Sequence, residues 1–545
     1  MTARSVVFLS LLGLGQLAAQ NQRAKLDSVF AAEQGTDRAG CAVGVVQDGR
    51  LIEARGYGMA DLANGTPIAP NSVFHVASVS KEFAAMSTIL LAESGRISLD
   101  DDIRKYLPEL PSYGSTITIR HLLNHTSGLR DQWTLLMESG WRLGDDLITE
   151  GDVLDVVSRQ KHLNFVPGTD WLYSNTGFTL LGVIIKRVTG QSLREYAQQK
   201  IFGPLGMTST HFHDDNSMVV PRRTRGYVFR DAEWHEMVPN YSTVGATSLF
   251  TTVEDLAAWH RQLDNPDILG APARETLLRR GILASGDTLR YASGISHGLY
   301  RGVATISHSG GDPGYRAHLL HFPAQRFGVS VLCNDVGANP VRLAELASEV
   351  YLAESLEPVA TAAAAGPSDP LAAAAGWFWS DGTETIGRVM LEKEQLGWSG
   401  GGGSTPLTPL GGGRYRIGTG MTVLSTTGTG KDRTIRTVGG SGEITVYRPV
   451  EPWVPTAADR ADLVGRYTSA ELGATWEIRL TGDTLRLVRP KFPPSALAPA
   501  FRDAYRTSSG QLGMFIRPER DAKGRITRIL VGAGRVRRME FVKGG

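Results

Sequence analysis

The sequence predicts an α/β sandwich, an antiparallel sheet split by a helical insert, followed by two small antiparallel β barrels. The order of elements carries the first part. An amphipathic helix (Leu26, Val29, Phe30) and a hairpin precede a helical middle, and strand-like runs and a helix follow it. The hairpin is therefore expected to rejoin the later strands in one sheet, leaving the middle as a helical subdomain. Composition carries the second part. Glu357 to Pro370 is a Pro/Ala linker, after which Gly, Thr and Arg rise and short β runs take over. The tail also repeats itself. Gly376-Trp377-Phe378 corresponds to Gly465-Arg466-Tyr467, Tyr415 to Tyr505 and Ile435 to Ile526, at offsets of 89, 90 and 91 residues. Two tandem barrels are the reading, with one larger barrel built from two halves as the alternative.

Taken in order, Arg4, the apolar run Val6 to Leu17 and Leu17-Ala18-Ala19 before Gln20 read as a secretory signal, residues 1–19. A retained N-terminal anchor is the alternative, although that run is too short to span a bilayer and no later one is long enough. The mature chain is expected in the periplasm or outside the cell. The first domain is expected at 20–356, a linker at 357–370, and barrels at 371–450 and 451–545. Cys41-Ala-Val-Gly-Val-Val and Leu51–Tyr57 flank Gln47-Asp48-Gly49-Arg50, a hairpin signal. The insert runs from Ile103 to about Leu205. Gly298–Ser307, Tyr315–Phe322 and Gly328–Cys333 then read as three strands, and Pro340–Leu356 as a helix. The only cysteines, Cys41 and Cys333, lie in β-patterned segments and read as two buried free thiols. A net charge of +2 suggests no nucleic-acid partner and no anionic membrane surface.

Ser78-Val79-Ser80-Lys81 opens an apolar helical run. Residues three apart share a helix face, so the Lys81 amine can reach the Ser78 hydroxyl. A serine is a poor nucleophile until an adjacent base takes its proton, which desolvated lysine can do. Tyr173-Ser174-Asn175 follows Pro167-Gly168 and precedes an apolar helix. It supplies a phenol able to relay protons and an amide able to hold a substrate carbonyl. His308-Ser309-Gly310-Gly311 ends a strand, where glycines let a substrate backbone approach and exposed N–H groups can serve an oxyanion. Three further patterns are weaker. Gly294-Ile-Ser296-His-Gly298 matches a nucleophile elbow, but a β-like run follows where a helix is required. His211-Phe-His213-Asp-Asp215 reads as a polar loop rather than a zinc site. His121 and His125 read as helix caps or satisfied polar residues, since no third ligand follows them.

In order and in element type, Ser78-x-x-Lys81, Tyr173-x-Asn175 and His308-x-Gly310 resemble the penicillin-recognising serine hydrolases, close to class C β-lactamases, D-aminopeptidases and related esterases. Thr118-Ile-Arg-His-Leu-Leu-Asn-His-Thr-Ser-Gly-Leu129, Phe202-Gly-Pro-Leu-Gly-Met207 and Gly245-Ala-Thr-Ser-Leu-Phe-Thr-Thr252 extend the resemblance over about residues 21 to 356. It implies a β-lactamase/transpeptidase-like fold, with lipocalin-like barrels behind it, and an acyl-enzyme on Ser78 with Lys81 as base. It further implies that Tyr173 shuttles the leaving-group proton and that the N–H groups of Ser78 and Gly311 form an oxyanion hole. Asn175 and His308 would hold the substrate, and no metal or organic cofactor is implied. The implied substrate is a small peptide, amide or ester. A D-aminopeptidase or DD-peptidase comes first, then a carboxylesterase or weak β-lactamase, with a non-catalytic peptidoglycan-binding member as the alternative of another class. The departure is His308, where many penicillin-binding members carry Lys. In such folds the first strand of the sheet pairs with the last, so a Cys41–Cys333 bridge is sterically possible. The barrels are expected to shape access without supplying catalytic groups, one of their loops approaching Tyr173 and His308. Arg535-Val-Arg537-Arg538 reads as a solvated strand edge, with an acid-binding patch as the alternative.

Overall fold

The structure, a computed structural model, describes residues 20–358, 365–400, 403–418, 422–439, 442–507 and 513–544. The expected signal at 1–19 and linker residues 359–364 lie outside the described residues. The chain divides into two compact units. One takes the chain up to Ile97, Phe178–Arg279 and Ala292 onward to the linker. The other takes Ser98–Gly177, Arg280–Tyr291 and the chain after the linker.

In the first unit, β1 (Cys41–Gln47) and β2 (Arg50–Tyr57) form the expected hairpin. Asp48 and Gly49 both take positive φ, 51° and 73°, as a type I′ turn requires. β3 (Ser296–Tyr300), β4 (Val303–Asp312), β5 (Tyr315–Phe322) and β6 (Phe327–Cys333) complete one antiparallel sheet in the order β3-β4-β5-β6-β1-β2. The run read as a single strand, Gly298–Ser307, is two. The chain reverses at Arg301 and Gly302, with φ of 44° and 81°. Arginine is no turn former, so one glycine inside an alternating run was the only local mark of this hairpin.

The apolar run of β1 is buried on both faces because helices cover both. On one face Val43, Val45, Val329 and Val331 pack with Leu26 of the helix 20–29, with Phe30 just after it, and with Ala344 and Ala347 of the helix Pro340–Leu352. On the other, the helix Val253–Asp264 lies so close that a Cβ on Gly44 would stand 3.0 Å from Val253 Cβ. Cys41 and Cys333 sit opposite each other in the β1–β6 register and form a disulfide, with Cα atoms 4.0 Å apart. This corrects the expectation of two free thiols. The bridge follows from a strand pairing across 292 residues of sequence, not from local pattern.

The second unit holds the short helices of the insert and two closed, eight-stranded barrels. The first barrel runs from Gly376–Ser380 to Ile444–Val450 and the second from Gly465–Ser469 to Val536–Lys543. Their duplication reaches the interior, which side chains fill as expected for eight strands. Phe378, Leu396, Leu407 and Tyr415 are buried, and so are Tyr467, Leu485, Leu497 and Tyr505. One bulge recurs in both, at Pro409/Gly411 and Pro499/Phe501.

The second barrel packs on the insert through buried polar groups. Arg130, 2% exposed, donates from Nη1 to Glu471 Oε2 at 2.8 Å and from Nη2 to the carbonyls of Arg537 and Arg538 at 2.9 Å. Glu471 Oε1 accepts the Lys161 N–H at 2.6 Å. Arg489 pairs with Glu138 at 2.6 Å, and both are largely buried. Arg535-Val-Arg537-Arg538 is therefore a solvated edge only in part, the side chains of Arg535 and Arg538 being 45% and 61% exposed. Arg537 is buried and reaches Asp170 at 3.3 Å, while the Arg538 N–H donates to Glu384 of the first barrel at 3.0 Å. A basic strand end was read as solvated because its acidic partners lie far off in sequence. Among the described residues, no helix is long and apolar enough to cross a membrane.

Candidate active site

Ser78 sits on a strand-to-helix corner. The strand Phe74–His75 ends in a 3₁₀ turn, Ala77–Val79, that runs into α1 (Ser80–Glu93). Ala77 has φ +48°, a left-handed conformation that costs an L residue about 1–2 kcal/mol and persists only where its surroundings impose it. Those surroundings are specific. The Ala77 N–H donates to His75 Nδ1 at 3.1 Å, and Ser80 Oγ accepts from the Leu249 N–H at 2.9 Å. The i, i+3 geometry then places Lys81 Nζ 3.1 Å from Ser78 Oγ. Lys81 is fully buried, and its ammonium also donates to the Ala246 carbonyl at 2.6 Å. Ser78 itself is half-buried.

β4 runs directly against this corner. A Cβ on Gly310 would lie 2.2 Å from the Val76 carbonyl oxygen, so only glycine fits there. β3 pairs with β4 only from Val303 to Ser307, which leaves His308–Asp312 with no strand on that side. Gly311 lies in this open stretch. His308 is buried, with Nδ1 2.7 Å from the Ser309 carbonyl. A carbonyl can only accept, so Nδ1 carries the proton and Nε2 is an acceptor. Burial, reinforced by Lys81, pushes this imidazole down to about 3, so the ring is neutral.

Tyr173 and Asn175 belong to the second unit. The Tyr173 ring packs with Trp171, Leu289 and Tyr291. The His125 ring lies against it, with centroids 4.2 Å apart. His125, itself at φ +58°, accepts the Ser174 N–H on Nδ1 at 3.2 Å, so its Nε2–H donates to the Tyr291 hydroxyl at 3.2 Å. It is thus a satisfied polar residue that props the phenol, while His121 closes a capping box with Thr118. Asn175 opens α2 (Asn175–Thr189). Its N–H and its Nδ2 both donate to Asp131 Oδ2 at 2.8 Å. Asp131 Oδ1 meanwhile caps the helix Gln132–Glu138 by accepting from the Trp133 and Thr134 N–H groups. Above Tyr173 stands Arg535, its guanidinium 4.6 Å from the ring centroid. Asp131, His125 and Arg535 were not read as site residues. No motif announces them, because each acts through a partner at least 44 residues away.

The weaker patterns resolve physically. Ser296 begins β3, with no helix after it. Gly294 has φ +76° and a Cβ there would stand 2.8 Å from the Lys81 backbone, so that glycine serves packing around α1. His211 stacks on Phe250 and His213 packs tilted against it, and burial pushes both down to about 4. Among the described residues, no group of three His, Cys, Asp or Glu is placed to hold a metal ion.

Residues 26–354 match the family described as Beta-lactamase. The chain belongs to that family. This Beta-lactamase family chain is 29% identical over 337 residues to a penicillin-binding protein of Bacillus subtilis, covering 58% of this chain and 72% of that one. It is 29% identical over 314 residues to a D-aminopeptidase of Gluconobacter oxydans, covering 56% of this chain and 58% of the relative. The chain thus spans little more than half the length of the D-aminopeptidase it matches. Its fold is shared with an octameric penicillin-binding protein homologue from Pyrococcus abyssi, at TM-score 0.56 and 20% identity, covering 86% of this chain and 99% of that one.

Proposed function

We propose that this chain is a secreted serine hydrolase that cleaves amide bonds of short D-amino-acid peptides through an acyl-enzyme on Ser78. The observation that carries the reading is the fully buried Lys81 amine, its Nζ held 3.1 Å from Ser78 Oγ. Nothing in ordinary helix packing calls for a buried lysine facing a serine, whereas nucleophile activation does. In this reading Lys81 takes the Ser78 proton as Oγ attacks the carbonyl, and the oxyanion meets the N–H groups of Ser78 and Gly311. Tyr173 passes a proton to the departing amine and then helps water attack the acyl-enzyme. Asn175 offers its amide to the acyl side chain, and His308 Nε2 accepts a substrate N–H. A neutral His308 is poorly suited to hold a carboxylate, which favours a peptidase over a β-lactamase. The catalytic domain is taken as residues 20–356. The Cys41–Cys333 bridge supports an oxidising compartment, periplasmic or extracellular.

The test is a panel of D-amino-acid amides, p-nitrophenyl esters and nitrocefin, with fluorophosphonate labelling of the full chain. Ser78→Ala and Lys81→Ala should each abolish labelling and nearly all turnover, and the double variant should be hardly worse than either. Ser296→Ala should leave labelling intact. Labelling that persists in Ser78→Ala sinks the proposal, and an unlabelled, correctly folded wild type points to a binding protein instead.

A further inference from the structure

His75 is a histidine in a place that calls for an apolar ring. It ends the strand Phe74–His75, which pairs with Phe250 and Thr251, and it is 2% exposed. Its ring meets Phe250 edge-on at 5.1 Å between centroids, and Tyr315 and Tyr241 at 5.6 and 6.3 Å. Phenylalanine would fill such a box at least as well. The imidazole accepts the Ala77 N–H on Nδ1 at 3.1 Å, so its proton sits on Nε2. Burial pushes the ring down to about 3, which keeps that lone pair available at working pH. Among the described residues Nε2 has no hydrogen-bond partner, and burying it unpaired forfeits its bond to water. Asp312 Oδ2, 3.7 Å from Nδ1, is out of hydrogen-bond reach and takes the Thr247 hydroxyl instead. The contact that an imidazole has over a phenyl here is the one to Ala77.

That contact is one of two that pin residue 77. The Ala77 carbonyl accepts the Ser80 hydroxyl, whose oxygen in turn takes the Leu249 N–H at 2.9 Å. The Leu249 carbonyl takes the Val76 N–H at 3.0 Å, which anchors the same turn to the neighbouring strand. Held by its amide on one side and its carbonyl on the other, Ala77 keeps φ +48°. The consequence falls on the next peptide. In a trans peptide the carbonyl and the following N–H point opposite ways, and no described peptide is cis. Turning the Ala77 carbonyl toward Ser80 therefore aims the Ser78 N–H the other way. That N–H is the oxyanion donor of the function proposed above.

We infer that His75 is a positioning residue for acylation: through the Ala77 N–H it holds the 77–78 peptide so that the Ser78 N–H meets the developing oxyanion. The inference rests on the proposed function and deepens it. Without the acceptor, an alanine at 77 relaxes toward negative φ and turns the Ser78 N–H off its line. A glycine at 77 has no such preference and can hold the turn unaided.

The test uses the full chain and reads the rate of fluorophosphonate labelling, with kcat and KM for a D-amino-acid amide that the wild type turns over. His75→Phe keeps a ring and removes the acceptor. It should slow labelling and kcat by about 10- to 100-fold, somewhat less than the outright loss of an oxyanion donor. KM should change little, because the oxyanion exists only beyond the ground state. His75→Asn, whose Oδ1 can accept from the N–H two residues on, should recover most of the rate. Ala77→Gly added to His75→Phe should recover it too, with no acceptor present, a rescue that a packing role for His75 does not give. His75→Phe labelled as fast as the wild type, or a loss that Ala77→Gly leaves unrelieved, overturns the inference. A wild type that takes no label and turns over nothing fails the proposed function instead, and the pinning of residue 77 is then read from Tm. Ala77→Gly should raise Tm more in His75→Phe than in the wild type, and equal shifts in both overturn the pinning.

Discussion

Replacing Glu471 with Gln should destabilise the second unit well beyond what a surface substitution does. The Arg130–Glu471 pair is buried on both sides, 1% and 7% exposed, at 2.8 Å. Glutamine keeps the shape and one acceptor, but it turns a donor toward the guanidinium and leaves a cation buried without its anion. Removing one partner of such a pair costs about 3–5 kcal/mol. Gln160 Oε1 and the carbonyls of Arg537 and Arg538 still accept from Arg130, which favours the lower end of that range. A loss of about 3 kcal/mol lowers Tm by roughly 6–12 °C for a unit of this size. Differential scanning calorimetry and urea unfolding at neutral pH measure it. The paired variant Arg130→Met with Glu471→Leu removes both charges and should recover most of the loss. A Tm within 1 °C of wild type for Glu471→Gln would refute the reasoning. So would a paired variant as unstable as the single one. For the same reason, deleting 371–545 should compromise the insert's own fold.

Asp131→Asn turns a donor toward the two N–H groups of Asn175, so it should lower kcat/KM by about 100-fold, as the loss of two charge-assisted hydrogen bonds implies. Unchanged kinetics with an unchanged Tm would remove Asp131 as a positioning residue. Burial pushes His75 and His308 down to about 3 and His318 to about 4. Below the unfolded value near 6.5 the unfolded chain takes up protons that these rings refuse, so their stability contribution, full above that pH, is lost as pH falls. Buried Glu82, raised to about 8, acts in the opposite sense over part of this range. Burial pushes His211, His213 and His260 down too, so the rings together should lower the urea midpoint as pH falls from 6.5 to 5. Cys41→Ala with Cys333→Ala should cost about 2–5 kcal/mol, seen as a lower Tm that added reductant no longer changes.

The sequence by itself determined what is encoded over a few residues. Ser78 and Lys81 meet because three residues make nearly one helical turn, and Asp48-Gly49 turns because both can adopt positive φ. The tail's duplication was legible because a repeat needs no knowledge of the fold. The hairpin at Arg301-Gly302 escaped because one glycine in an alternating run is a weak signal. Tertiary structure alone decided the rest. Cys41 meets Cys333 because the first strand of the sheet pairs with the last. Asp131 grips Asn175 across a loop, and a hairpin of the second barrel carries Arg535 onto Tyr173, 362 residues earlier in the chain. Side-chain periodicity reports which face of one element is apolar. Which charged group a closed barrel delivers to a distant phenol depends on the barrel's register and on the buried Arg130–Glu471 pair that docks it.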